Sequence, residues 1–278
     1  MHSSLLARRP MQALLLLAAL LFAPGARADL MLFPTRVVFE KNQRAAQIEL
    51  INSGTQAATY RLSIINRRMS ETGEFVPIET PAPGELLAEP MVRFSPRQIT
   101  LQPGTSQTVR VMLRKPADLA DGEYRSHLHF EKLPEVKANS VETNAGAGSI
   151  GVSITALVGA SVPVIVRHGA TSATVALSNL ELLGGNTAPA LAMRFSRSGN
   201  ASIYGDLDVT FTPHGGAAQP IGKMGGIAVY APNPARQATL PLQLPASLAL
   251  SRGTLAVTYR ERAEAGGAVL AQASLALP

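Results

Sequence analysis

The chain has 278 residues, 25 Lys and Arg against 19 Asp and Glu, and no cysteine. The missing thiols exclude disulfides, cysteine nucleophiles and cysteine-ligated metals. Three of the arginines (Arg8, Arg9, Arg27) fall in residues 1–28, so the remainder carries about +3, with no basic stripe interleaved with aromatics, and nucleic-acid binding is not expected.

Residues 1–28 read as a cleaved secretory signal. Arg8 and Arg9 precede the apolar run Met11 to Phe22, and Ala26-Arg27-Ala28 fits the small-residue cleavage pattern. The run is shorter than the roughly 17–25 residues that span a bilayer, so export with no membrane anchor is expected. From Asp29 onward the pattern has period two. Ala46, Ile48 and Leu50 alternate with Gln47 and Glu49, and Asn52-Ser53-Gly54 makes a turn. Tyr60, Leu62 and Ile64 form a second apolar face, and Val109, Val111 and Leu113 a third. Next, Tyr124, Ser126, Leu128 and Phe130 alternate with Arg125, His127, His129 and Glu131.

After a polar, Gly/Ala-rich loop from Pro134 to Gly148 comes an unusually long alternating run, Gly148 to Arg167. Ile150, Val152, Ile154, Ala156 and Val158 share one face. An ordinary strand has about five or six residues, so this one is expected to outrun its own sheet and offer apolar residues to another protein. Seven further strands follow: Thr174 to Leu183, Leu191 to Ser196, Leu207 to Pro213, Gly226 to Tyr230, Ala238 to Leu244, Thr254 to Arg260 and Ala268 to Leu277. The expected architecture is all-β, with two tandem β-sandwich domains over residues 29–168 and 169–278. They join near Arg167 to Thr171 without a flexible linker, which predicts a fairly fixed angle.

Motifs for catalysis are sparse. His127 and His129 share a strand face, continued by Glu131, and could begin a zinc site; the plainer reading puts them on the solvent face of a strand. Nucleophile-elbow and phosphate-loop contexts are absent, so no enzyme activity and no cofactor is expected. Arg36, in PTRVVFE, falls within the first predicted strand. It is either an exposed arginine or a guanidinium that holds a carboxylate by two parallel hydrogen bonds. Glu123 and Arg167 would meet at the join if their strands pair.

PTRVVFEKNQRAAQIELINSG, RFSPRQITLQPGTSQTVRVMLRKPADLADGEYRSHLHFEKLP and PVIVRHG together resemble the periplasmic chaperones of chaperone–usher pilus assembly, the PapD-like superfamily. The resemblance implies two immunoglobulin-like domains in a boomerang arrangement. It also implies that a donor strand, about residues 149–167 here, completes pilin-like subunits that lack their last strand, a form of strand addition. On this resemblance Ile150, Val152, Ile154, Ala156 and Val158 are the subunit-binding face and Arg36 is the subunit carboxylate anchor. Glu123 and Arg167 fall on the interdomain salt bridge, with an acidic partner near Glu261 or Glu264. An outer-membrane usher is the implied recipient, and self-dimerisation of the free protein is left open. One departure stands out: Pro163 occupies the place of a second, lysine anchor, with Lys132 or Arg110 as conceivable substitutes. The alternative from another class is a tandem Ig-like structural or adhesive surface protein.

Overall fold

The computed structural model describes residues 29–134, 159–184, 188–245 and 248–278. The signal reading for residues 1–28, the loop over residues 135–148 and the donor positions Ile150, Val152, Ile154, Ala156 and Val158 lie outside these residues.

The first unit contains β1 (Leu30–Phe33), β2 (Val37–Phe39), β3 (Ala45–Asn52), β4 (Ala58–Ile65), β5 (Arg67–Met69), β6 (Phe75–Pro77), β7 (Val92–Ser95), β8 (Gln98–Leu101), β9 (Ser106–Leu113), β10 (Gly122–Lys132) and β11 (Gly159–His168). Two sheets, ordered β1-β3-β9-β7 and β2-β11-β10-β4-β8, face each other, with β5-β6 as a separate hairpin. The second unit contains β12 (Ala173–Leu183), β13 (Ala190–Gly199), β14 (Ile203–Pro213), β15 (Gln219–Val229), β16 (Ala235–Pro241), β17 (Gly253–Glu261) and β18 (Val269–Leu277). Its sheets are β12-β13-β16 and β15-β14-β17-β18. The all-β, two-sandwich reading therefore holds. Among the described residues no helix is long and apolar enough to cross a membrane.

The alternation of apolar residues sets which face each strand buries. Phe39, Ile48, Leu50, Tyr60, Leu128, Phe130 and Val164 interdigitate in the first core; Phe195, Leu207, Phe211, Leu255 and Tyr259 fill the second. Each such side chain contributes roughly 1.5–3 kcal/mol on burial. Strand β15 starts at Gln219, earlier than the predicted Gly226, because the alternation is interrupted there. The ladder to β14 shifts register between Gly205 and Leu207, opposite Gly226 at φ 72°, a backbone conformation that suits glycine.

Two features position the site. The first is a sheet switch, which corrects the expectation that Arg36 lies inside one strand. Strand β1 pairs with β3, whereas β2 pairs in parallel with β11 in the opposite sheet. Pro34 has no N–H to continue a ladder, and Thr35 and Arg36 carry the chain across the gap. The second is the edge of β11. Val164, Ile165 and Val166 lie between β10 on one side and Val37, Val38 and Phe39 on the other. Gly159 to Pro163, among the described residues, pair with β10 alone. A proline fits such an edge, where no hydrogen bond is required of it.

The two units share a small third core: Met69 from the hairpin, Ile165 from β11, and Ala228 and Tyr230 from the second unit, with Val38 and Tyr204 against them. The connection from His168 to Ala173 is short, and Gly169 takes φ 63° where a Cβ would overlap the Asp121 carboxylate. Ile165→Ala is expected to lower stability by about 2–5 kcal/mol, since it opens a cavity in a core both units share. Val269→Ala on the exposed end of β18 should change it by less than about 0.5 kcal/mol. Urea denaturation of the two variants checks this difference.

Candidate functional site

Arg36, at the sheet switch, reaches into the second unit. Its guanidinium carbon lies 4.5 Å from the ring centroid of Tyr204 and 5.3 Å from that of Tyr230, and Nη1 donates to the Tyr230 hydroxyl at 3.4 Å. Cation–π contacts of this kind contribute about 0.5–2 kcal/mol each. Among the described residues no carboxylate pairs with Arg36. It opens onto a cavity of about 1000 Å³ that Phe33, Arg167, Tyr204, Glu261 and Leu270 also line. A half-buried guanidinium, oriented by two rings and free of a counter-ion, is suited to hold a carboxylate.

Beside it lies a more deeply buried cation. Arg125 on β10 is 8% exposed, and its guanidinium carbon lies 4.1 Å from the Tyr230 centroid. Nη1 of Arg125 has no hydrogen-bond partner among the described residues. Burial pushes its pKa down from the usual arginine value, and the neighbouring Arg36 charge adds to that.

Glu123 faces Arg167 across the β10–β11 ladder. The Glu123 side chain is 1% exposed; its Oε2 accepts from Arg167 Nε at 3.1 Å and from Ser202 N at 3.0 Å, and its Oε1 accepts from the Ser202 hydroxyl. Arg167 also donates through Nη1 to Glu40 at 2.7 Å and through Nη2 to the Ser202 carbonyl at 3.1 Å. The group contributed by the second unit is thus the serine, its hydroxyl and its backbone. Glu261 and Glu264 line the cavity but neither bonds Arg167; Glu264 pairs with Arg262 at 2.7 Å.

Neither substitute for a second anchor reaches Arg36. Lys132 pairs with Asp29 at 3.2 Å, six residues along β10 from Ser126, which lies level with Val37, and so roughly 20 Å from the start of β2. Arg110 lies in the other sheet, opposite Gln47.

His127 is not on a solvent face, and His129 is half-buried. His127 is 2% exposed and meets the edge of Phe75 with ring centroids 5.2 Å apart. The β5–β6 hairpin and Tyr230 cover this side of β10, so the strand is buried on both faces over most of its length. Among the described residues neither ring nitrogen of His127 has a partner, and no group of three metal-binding side chains occurs. Burial, then the charges of Arg125 and Arg67, push the His127 pKa from 6.5 to about 3.

Tyr204, Tyr230, Arg125 and Ser202 were not singled out from the sequence. Arg125 carries the one available signal, a charge flanked in sequence by the uncharged Tyr124 and Ser126. The tyrosines carry none, because their role depends on how the two units meet.

Residues 29–166 match the family described as pili and flagellar-assembly chaperone, PapD N-terminal domain. Among solved structures, the YadV chaperone is similar at 12% identity over 90% of this chain and 100% of that one, with a TM-score of 0.43. The Pseudomonas aeruginosa CupB2 chaperone is similar at 12% identity over 88% of this chain and 98% of that one, with a TM-score of 0.40. The structure of the Salmonella enterica SafA pilin in complex with the SafB chaperone gives 16% identity over 92% of this chain and 99% of that one, with a TM-score of 0.41. No curated protein sequence matches the chain.

The buried His127 sets a pH dependence. Below pH 6.5 the unfolded chain protonates this histidine while the folded one does not, down to about pH 3. Its contribution is therefore fully present above pH 6.5 and is lost as pH falls towards 3, with a limiting slope of about 1.4 kcal/mol per pH unit. Urea denaturation between pH 7 and pH 4 should show this fall in the wild type, and His127→Phe should be flatter by about that slope.

Proposed function

Because the chain belongs, through residues 29–166, to the family of pili and flagellar-assembly chaperones with a PapD N-terminal domain, we propose that it is a periplasmic chaperone that lends a strand to pilin-like subunits and hands them to an outer-membrane usher. The subunits are ones that lack their own last strand. The observation that carries this reading is the half-covered edge of β11.

Strand β2 runs parallel to β11 and begins with Val37 opposite Val164. A partner strand laid along the uncovered side of Gly159 to Pro163, in the same direction, would meet β2 end to end. Arg36 stands at that junction, so a partner strand ending in a free carboxylate brings its last charge to this guanidinium. Register and direction are then set together: the carboxylate stops at Arg36, and main-chain bonds to β11 do the rest. Upstream of Gly159, the alternating Val158, Ala156, Ile154, Val152 and Ile150 continue the same run in the sequence. As the donor face they would fill a subunit groove, each Ile or Val contributing roughly 1.5–3 kcal/mol. Glu123 and Arg167 act as the interdomain bridge that keeps the second unit against Arg36. Periplasmic location rests on the signal-like residues 1–28. In the absence of a subunit, the same edge is open to a second copy of the chain.

Co-expression with a cognate subunit tests the reading. Arg36→Ala, or a charge introduced as Ile154→Asp, is expected to abolish recovery of soluble subunit while the chaperone itself stays soluble at wild-type yield. Undiminished recovery with both variants would sink the strand-donation model.

A further inference from the structure

Two arginines lie against one tyrosine at the join, and one of them is buried without a hydrogen-bond partner for Nη1. A buried, unpaired guanidinium is costly, and it persists in folds where something supplies the missing contact. The acids nearest Arg125 are already engaged: Glu123 by Arg167 at 3.1 Å and Glu85 by Arg68 at 2.5 Å. The Tyr230 ring is its neighbour instead, at 4.1 Å. The hydroxyl of that ring accepts from Arg36 Nη1 at 3.4 Å, and its own proton has no acceptor among the described residues. The join therefore presents a cation with no carboxylate partner, a second cation against the same ring, and an O–H donor with nothing to donate to among the described residues. All three lie on one continuous contact between the units.

We propose that Tyr230 and Arg125 complete an anion seat with Arg36: a carboxylate held by Arg36 takes a further hydrogen bond from the Tyr230 hydroxyl, and Arg125, packed against the same ring, supplies a second positive charge. The inference rests on the anchor reading of Arg36 and adds the second unit as a direct participant in it. Its ligand is a carboxylate at a chain end. A neutral amide of the same shape is rejected, because it leaves both guanidinium charges without a counter-ion. Because Tyr230 belongs to the second unit, the seat is complete only when the two units are set as they are here.

Acetate and its neutral isostere acetamide serve as probes on the full chain, with binding followed through the arginine Nε–H signals and the tyrosine ring signals in NMR titrations. Acetate is expected to shift the Arg36 and Arg125 signals saturably and acetamide is not. Tyr230→Phe, which removes one hydroxyl, and Arg125→Met, which removes the buried charge, should each weaken acetate binding about tenfold, with the melting temperature unchanged or raised. Wild-type acetate affinity in both variants overturns the proposal and leaves Arg36 as a lone anchor. Acetate binding unaltered by Arg36→Ala overturns the anchor reading itself, and the absence of saturable acetate binding to the wild type overturns both. If Arg125→Met does not fold, Tyr230→Phe decides.

Discussion

The carboxylate of Glu123 accepts hydrogen bonds from Arg167 in its own unit and from the backbone and hydroxyl of Ser202 in the other. Taking a carboxylate out of water costs several kcal/mol unless donors replace the lost hydration. Here the replacement donors come from two sandwiches, so the charge is satisfied only when the units are correctly set. Ser202 immediately precedes β14, and Tyr204 is two residues further on. The bond that fixes the serine therefore also fixes the ring on which Arg36 is stacked.

The opposite side of the join is held by different means. Met69 and Phe75 of the hairpin press on the shared core and on His127 and Tyr230. Asn233 Nδ2 donates to the Met69 carbonyl at 2.5 Å, and Arg194 pairs with Glu71 at 3.3 Å. An isolated contact of either kind would contribute little; exposed ion pairs give about 0–1 kcal/mol. Arranged on both sides of one small core, they leave the second unit little freedom to rotate about Arg167. Such a join suits a site whose cation and aromatic rings come from different units.

Much of the fold was legible because a half-buried strand writes its two faces into the sequence. Ile48 and Leu50, or Leu128 and Phe130, point inward by simple alternation, and all are fully buried. What alternation cannot express is a second covering layer. Arg125 and His127 occupy the polar phase of β10, so the pattern assigned them to solvent, yet the hairpin and Tyr230 lie over them. The sheet switch at Pro34 was hidden for a related reason: β1 and β2 bury residues with the same period although they belong to different sheets. Arg36 could be singled out as an arginine among apolar residues, but its seat could not. Tyr204 and Tyr230 are distant from it in sequence, and only the relative placement of the units brings them together.

The hairpin has one more consequence. Strand β16 is the last strand of its sheet, and an outermost strand presents backbone groups on which a foreign chain can template itself. The main-chain N–H of Gln237 is instead used by the Glu71 carbonyl at 2.6 Å, and the arginines of β13 and β16 crowd the hairpin tip. Self-protection against unwanted aggregation is thus distributed unevenly over the molecule. One border is covered by a segment borrowed from the neighbouring sandwich, while that of Gly159 to Pro163 is left uncovered among the described residues.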